Sequence, residues 1–267
     1  MLGSPIAHSL SPVLHQAAYD ALGLTDWTYR AVECAEAELG DVLRSLEAEG
    51  RVGASLTMPL KRAVLPMLAK VERVADEVGA ANTVLFGGIV GEWWGGNTDV
   101  PGMVVVLTAH GAANKPMTIL GGGATAASAV AAAAALGVQD VTVVARRPEA
   151  AASVAEVGAR LMVPVEVVPW DRAADALNAP VVVSTVPAGA ADALSVHVPR
   201  KPGLLFDVVY APWPTPLATA WQAAGGAVAG GLELLVAQAA EQVRLMTGHE
   251  PPYDAMRRAG ETALNSC

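Results

Sequence analysis

The sequence predicts an α/β fold with a largely parallel sheet, and three observations predict it. Short runs rich in Val, Leu and Ile alternate with amphipathic stretches of helix length along most of the chain, as strands joined by crossover helices do. A strand at 117–120 runs into Gly121-Gly122-Gly123, an alanine-rich helix at 127–136 and a second strand at 141–145, a unit of dinucleotide-binding type. The runs at 180–184 and 203–210 then end in loops containing Pro187 and the stiff segment Ala211-Pro212-Trp213-Pro214-Thr215-Pro216. Loops after strand ends are where open α/β sheets take ligands.

Bulk properties narrow the function classes. The 267 residues suit one large or two modest domains. The net charge is −9 with no basic block, which argues against a nucleic-acid groove. The longest uncharged run, 116–138, is interrupted by the three glycines and followed by Thr125 and Ser128, so it reads as strand, turn and helix rather than a membrane span. The first eight residues lack the charged and apolar regions of a signal peptide. Cys34 and Cys267 are far apart and show no metal-type spacing. A reduced, cytoplasmic setting is the simplest reading, and no metal site is expected.

In order, residues 1–10 hold a short apolar piece and then His8-Ser9-Leu10. Ser11 is a good N-cap and Pro12 a good first helical residue, with Gly23 closing the helix. Plain capping is the commoner use of such serines, yet Ser9 and Ser11 at a helix start could also hold a carboxylate. A strand is expected at 27–33, an acidic amphipathic helix at 36–49 and a strand at 52–57. Pro59 suits a helix start, and apolar residues at helical spacing follow to Leu68.

That places Lys61, one of only four lysines against thirteen arginines, in the first helical turn. Exposed N–H groups there disfavour a positive charge, which suits a proton-transfer lysine. On local physics alone a solvated surface lysine is the commoner reading. A helical piece at 71–80 and a hairpin at 80–96 around Gly87-Gly88 follow. Asn97-Thr98-Asp99 reads as a turn with an Asx cap. A linking helix is expected at 103–110.

Gly121 ends its strand, and Gly123 lets the backbone approach a pyrophosphate at a helix N-terminus. The strand at 141–145 ends in Arg146-Arg147, with no acid before Glu149. An NAD site usually places a carboxylate there, whereas guanidinium groups match a 2′-phosphate. The residues therefore favour NADP over NAD. A helix at 149–161, a strand at 163–169, a short helix at 171–178 and a helix at 216–224 complete this region. Tyr210 is a candidate site residue at a strand end. A long helix at 232–247 carries Gln238, and an amphipathic helix at 255–264 ends the chain.

Seven motifs stand in one order: Gly3-Ser4-Pro5-Ile6-Ala7-His8-Ser9-Leu10-Ser11-Pro12; Thr57-Met58-Pro59-Leu60-Lys61; Gly79-Ala80-Ala81-Asn82-Thr83; Asn97-Thr98-Asp99 with Gly102; Gly121-Gly122-Gly123-Ala124-Thr125; Asp207-Val208-Val209-Tyr210 with Pro212, Thr215 and Pro216; and Gly231-Leu232-Glu233-Leu234-Leu235-Val236-Ala237-Gln238. In these, over nearly its whole length, the sequence resembles the shikimate dehydrogenases. The resemblance implies NADPH-linked, reversible reduction of 3-dehydroshikimate to shikimate in aromatic amino-acid biosynthesis. It implies two α/β domains with a cleft between them, a substrate domain of 1–99 plus 232–267 and a Rossmann-like NADP-binding domain of 100–231. Lys61 and Asp99 would form the acid–base pair. Ser9 and Ser11 would hold the substrate carboxylate, and Thr57, Asn82, Asp99, Tyr210 and Gln238 would contact substrate as well. Gly121, Gly122, Gly123, Ala124, Thr125, Arg146 and Arg147 would bind NADP, with Val208 and Gly231 near the nicotinamide. The partner would be this small molecule alone, and the protein a monomer or homodimer.

The sequence departs from the family pattern at Ser55-Leu56-Thr57, where Asn-Val-Thr is usual, at Ala145-Arg146-Arg147, where Asn-Arg-Thr is usual, and at Ala124 and Leu234. Only two residues precede Gly3, which predicts a shortened or frayed first strand, or a start assigned too late. A quinate or aminoshikimate dehydrogenase of the same fold, NAD-linked or not, is the alternative within enzymes. A cofactor-binding relative without catalysis is the alternative outside them, and retention of Lys61 with Asp99 argues against it.

Overall fold

The computed structural model describes residues 1–265; Cys267 lies outside the described residues. The chain forms two compact units, one of Met1–Gly102 with the chain from Leu235 on, the other of Met103–Leu234.

The first unit begins with β1 (Leu2–Gly3), α1 (Ser11–Ala21), β2 (Val32–Glu33), α2 (Leu39–Ala48) and β3 (Gly53–Ser55). It continues through α3 (Leu60–Ala63), β4 (Lys70–Val71), α4 (Arg73–Val78), β5 (Thr83–Leu85) and β6 (Trp94–Gly96). β1 and β2 pair in parallel, and a single bridge from Leu2 to Leu56 ties them to the second sheet, ordered β3-β5-β6-β4. β5 and β6 form the expected antiparallel hairpin. Apolar faces meet in a core of Leu2, Leu39, Leu43, Leu56, Leu60, Val84 and Trp93.

Three local expectations are corrected here. The strand expected at 27–33 is reduced to Val32–Glu33, because its ladder partner, β1, is itself two residues long. The helix from Pro59 stops at Ala63 and gives way to a tighter turn at Leu65–Met67. Pro66 explains the break: its ring would clash with a carbonyl one turn back in a continuing α-helix. The next helix, α5 (Asp99–Ala109), starts earlier than expected. Asn97 Oδ1 accepts from the N–H groups of Asp99 at 3.0 Å and Val100 at 3.2 Å, so the cap lies at Asn97 and Asp99 is already helical.

The second unit contains β7 (Met117–Leu120), α6 (Ala124–Ala135), β8 (Val141–Ala145), α7 (Ala152–Arg160) and β9 (Val165–Pro169). Then come α8 (Ala173–Ala176), β10 (Val181–Ser184), β11 (Leu204–Asp207), α9 (Pro216–Ala223) and β12 (Ala227–Gly230). All six strands are parallel, in the order β12-β11-β10-β7-β8-β9. Counted along the chain this is the doubly wound order, whose direction reverses between β7 and β10, and ligands of such sheets bind beyond the carboxyl ends at that reversal. β7, β10 and β11 are buried along their whole length, as a parallel sheet covered on both faces requires. β12 was not expected from the sequence; its four residues, Ala-Val-Ala-Gly, carry little strand signal.

α10 (Gly231–Thr247) and α11 (Tyr253–Leu264) end the chain. α11 packs against α1. No described helix is long and apolar enough to cross a membrane.

Candidate active site

Lys61 and Asp99 meet in the first unit. Lys61 Nζ donates to Asp99 Oδ2 at 2.5 Å, and the two side chains are 14% and 8% exposed. They come from elements 38 residues apart. Each is set by a short helix start: Lys61 in the first turn of α3, Asp99 at the first position of α5. The Lys61 carbonyl also accepts from the Ala81 N–H at 2.8 Å, which ties α3 to the segment that carries Asn82.

Asn82 completes the arrangement. Its Nδ2 donates to Asp99 Oδ1 at 2.9 Å and to Thr98 Oγ1 at 3.0 Å. Its Oδ1 accepts from the Thr98 N–H and the Thr83 hydroxyl, each at 2.9 Å. Both carboxylate oxygens of Asp99 are therefore engaged, one by the ammonium and one by the amide. The geometry gives Asn82 a positioning task that neither spacing nor periodicity revealed. An oriented ammonium beside an acceptor-only carboxylate can donate a proton to a substrate oxygen and take it back.

The serine pair differs from the capping reading. α1 begins at Ser11 itself, and Leu10, at the cap position, makes no side-chain cap bond. Ser9 Oγ accepts from the Ser11 N–H at 3.3 Å. Because Ser11 is helical, the N–H in need of an acceptor is its own, and its hydroxyl turns inward. Ser11 is 1% exposed, and among the described residues its hydroxyl has no hydrogen-bond partner. A buried hydroxyl left unpaired costs about 1–3 kcal/mol, and a polar ligand atom could offset that cost.

One turn on, His15 is buried, and its Nδ1–H donates to the Ser11 carbonyl at 2.9 Å. Its ring stacks on Tyr29 with centroids 3.8 Å apart, and the Tyr29 hydroxyl bonds Ser55. Burial lowers the His15 pKa from 6.5 to about 3, against the bond to Ser11. Between those two values the unfolded chain carries the proton and the folded chain does not, so stability falls as pH falls. Going from pH 7 to pH 5, His15 should remove about 2 kcal/mol. Urea unfolding at both pH values should show this loss in the wild type and a correspondingly smaller one in His15→Gln.

Thr57 is half-buried, and its N–H donates to the Leu2 carbonyl at 2.9 Å. Gln238 is 7% exposed and donates to the Leu235 carbonyl of its own helix at 2.9 Å. Gln242, one turn further along α10, was not expected to matter; its Nε2 reaches Thr83 Oγ1 at 3.2 Å, and its Oε1 is buried without a partner. Tyr210 belongs to the second unit.

In the second unit the glycine turn joins β7 to α6 at the sheet reversal. Gly121 has φ +123°, and a Cβ on it would lie 2.3 Å from Thr185 Oγ1. Thr185, just beyond β10, also donates its hydroxyl to the Leu120 carbonyl at 2.8 Å. It lines the reversal, although only its place after a strand could have marked it. Gly123 is the N-cap of α6, makes no side-chain cap bond, and has open space where a Cβ would stand. The first-turn N–H groups of α6, which include Ala124 and Thr125, have no partners inside the helix, and a phosphate fits there. Arg146 and Arg147 are exposed immediately after β8. Val208 and Gly231 lie together, with a Cβ on Gly231 placed 2.1 Å from the Val208 carbonyl oxygen.

A paired lysine and aspartate in one unit, and a doubly wound parallel sheet with an open glycine turn in the other, are the parts expected of an α/β oxidoreductase that uses a dinucleotide. Comparison with known proteins narrows this class. Residues 1–84 match the family model for the shikimate dehydrogenase substrate binding domain, and residues 231–259 that for the shikimate 5′-dehydrogenase C-terminal domain. An NADP(+) shikimate dehydrogenase of Oleidesulfovibrio alaskensis is 34% identical, with 100% of this chain and 95% of the relative aligned. The crystal structure of Mycobacterium tuberculosis shikimate dehydrogenase superposes with a TM-score of 0.89 at 44% identity, covering 98% of this chain and 97% of that one. A quinate dehydrogenase from Corynebacterium glutamicum in complex with NAD gives 0.86 at 28% identity, covering 98% and 97%. The chain belongs to the shikimate dehydrogenase family.

Proposed function

We propose that this protein catalyses the NADP-dependent, reversible reduction of 3-dehydroshikimate to shikimate in aromatic amino-acid biosynthesis. The observation that carries the reading is the 2.5 Å contact of Lys61 with Asp99, held from the far side by Asn82 at 2.9 Å. Bound NADP supplies or accepts the hydride at the ring carbon. Lys61 stabilises the negative charge that grows on the carbonyl oxygen and then donates the proton. Asp99 holds the ammonium in direction, and Asn82 holds Asp99.

Ser9 and Ser11 take the substrate carboxylate, which gives the orphan Ser11 hydroxyl its partner. Thr57, Asn82, Asp99, Tyr210 and Gln238 contact the remaining substrate oxygens. Substrate is assigned to residues 1–99 with 232–267, and cofactor to 100–231. Residues 121–125 cradle the pyrophosphate, and Val208 and Gly231 flank the nicotinamide. Cys34, buried with a free thiol, suits a reducing cytoplasm.

Arg146 and Arg147 are assigned to the cofactor 2′-phosphate. Among the described residues neither forms an ion pair with an acid, so both guanidinium groups are available. Replacing both with Ala should raise KM for NADPH by about tenfold or more, since each charge-assisted contact is worth roughly 1.5–3 kcal/mol when formed. KM for NADH should stay within about twofold. Equal effects on both cofactors would assign the arginines elsewhere.

Shikimate with NADP+ in the presence of the protein tests the function, with the product identified as 3-dehydroshikimate by mass. Quinate and NAD+ serve as the parallel arms. Turnover confined to quinate with NAD+ would move the protein to the quinate branch, and no turnover in any arm would sink the enzyme reading.

A further inference from the structure

Asp207 ends β11 at the carboxyl edge of the sheet and is 2% exposed. Its Oδ2 accepts from the Thr215 hydroxyl at 2.8 Å, and its Oδ1 from the Val209 N–H at 3.2 Å. The Thr215 oxygen accepts in turn from the Ala218 N–H at 3.1 Å and so caps α9. One carboxylate thus holds both arms of the loop between β11 and α9. Pro212, Pro214 and Pro216 remove amide donors from that stretch, which leaves fewer backbone bonds to hold its shape.

The near arm of the loop is also fixed from outside. The Val208 N–H donates to the Ser184 carbonyl at 3.0 Å, and the Gly231 N–H to the Val209 carbonyl at 3.2 Å. A small hollow lined by Ser184, Val186, Gly189 and Thr215 adjoins Asp207. Burial pushes the Asp207 carboxyl above the usual range, against the bonds from Thr215 and Val209. An acid in such a place is costly, but a carboxylate can accept from both donors at once.

We propose that Asp207 is a positioning residue for hydride transfer: by accepting from Val209 and Thr215 together it fixes the backbone at 208–210 against Gly231, beside the nicotinamide. The proposal rests on the function assigned above. Asp207→Asn keeps the shape but removes the charge, and its Nδ2 would face the Thr215 oxygen, so the Thr215 hydroxyl proton loses its acceptor and the charge-assisted bonds are weakened. In the cofactor-free full-length variant, amide hydrogen exchange across 208–215 should quicken by about tenfold or more, with the first unit unchanged.

With shikimate and NADP+, kcat should fall by about tenfold or more while KM for shikimate rises by much less, Tyr210 being one of several assigned substrate contacts. The isotope effect with NADPH deuterated at the transferred position should rise. Unchanged exchange, kcat and isotope effect in a folded variant overturn the proposal. If Asp207→Asn does not fold, Thr215→Val and Thr215→Ser decide: a slow Val variant beside a near-normal Ser variant supports it, and equal rates overturn it. A wild type inert toward shikimate contradicts the assigned function, and the hydride role with it, while the exchange measurement still reports on the brace itself.

Discussion

Lys61→Ala should retain the fold and lose about 10³-fold in kcat, within the 10²–10⁴ range of a positioned general acid. The Nζ atom lies 2.5 Å from Asp99 Oδ2, so its removal deletes the proton donor and leaves a carboxylate facing the reacting oxygen. Negative charge growing on that oxygen then meets repulsion instead of an ammonium. KM for shikimate should change much less than kcat, because the carboxylate and most hydroxyl contacts are assigned to other residues. Steady-state kinetics in both directions, beside thermal unfolding, measures this. A loss below about tenfold, roughly 1.4 kcal/mol of barrier, would remove Lys61 from the chemistry.

Asp99→Asn should cost about 10²-fold in kcat/KM, with both parameters affected. Asn in that place offers an N–H where Oδ1 or Oδ2 now accepts. Asn82 Nδ2 at 2.9 Å and Lys61 Nζ at 2.5 Å both need acceptors, and an amide supplies only one. The ammonium therefore loses its direction, and a substrate hydroxyl loses an acceptor. Thermal stability should also drop, since one donor of a nearly buried network is left unmatched, at about 1–3 kcal/mol. Retained kcat/KM would show that Lys61 needs no carboxylate to aim it.

Local sequence made the second unit legible. The run at 117–145 announces itself because the strands β7 and β8 are apolar but for Thr118 and Thr142 and α6 is mostly alanine, which is how a strand–turn–helix–strand unit covered on both faces reads. The first unit was harder. Its strands are two or three residues long, too short for alternation to set their ends, so 27–33 was overextended. The helix that bears Asp99 was placed late because Pro101 and Gly102 read as a turn, while the Asn97 side chain supplies the cap that starts it.

The site was legible in its residues and not in its connections. No periodicity joins positions 61 and 99; the pairing came from the resemblance, and the folded chain brings the two side chains together. Ser11 looked like a cap because serine before proline usually is one. Its inward, unpartnered hydroxyl is a tertiary fact. Asp207 carries no signal of its own in the sequence, since its partners Val209 and Thr215 converge only once β11 and α9 are in place.

In the proposed reaction Lys61 and Asp99 act as one unit. A double-mutant cycle on kcat tests it most directly, using Lys61→Ala, Asp99→Asn and the two together. Residues that act as a unit are strongly non-additive. The double variant should be no slower than Lys61→Ala alone, within about threefold. Two losses that multiply, so that the double variant is slower than Lys61→Ala by the full kcat cost of Asp99→Asn, would mean that the residues act independently.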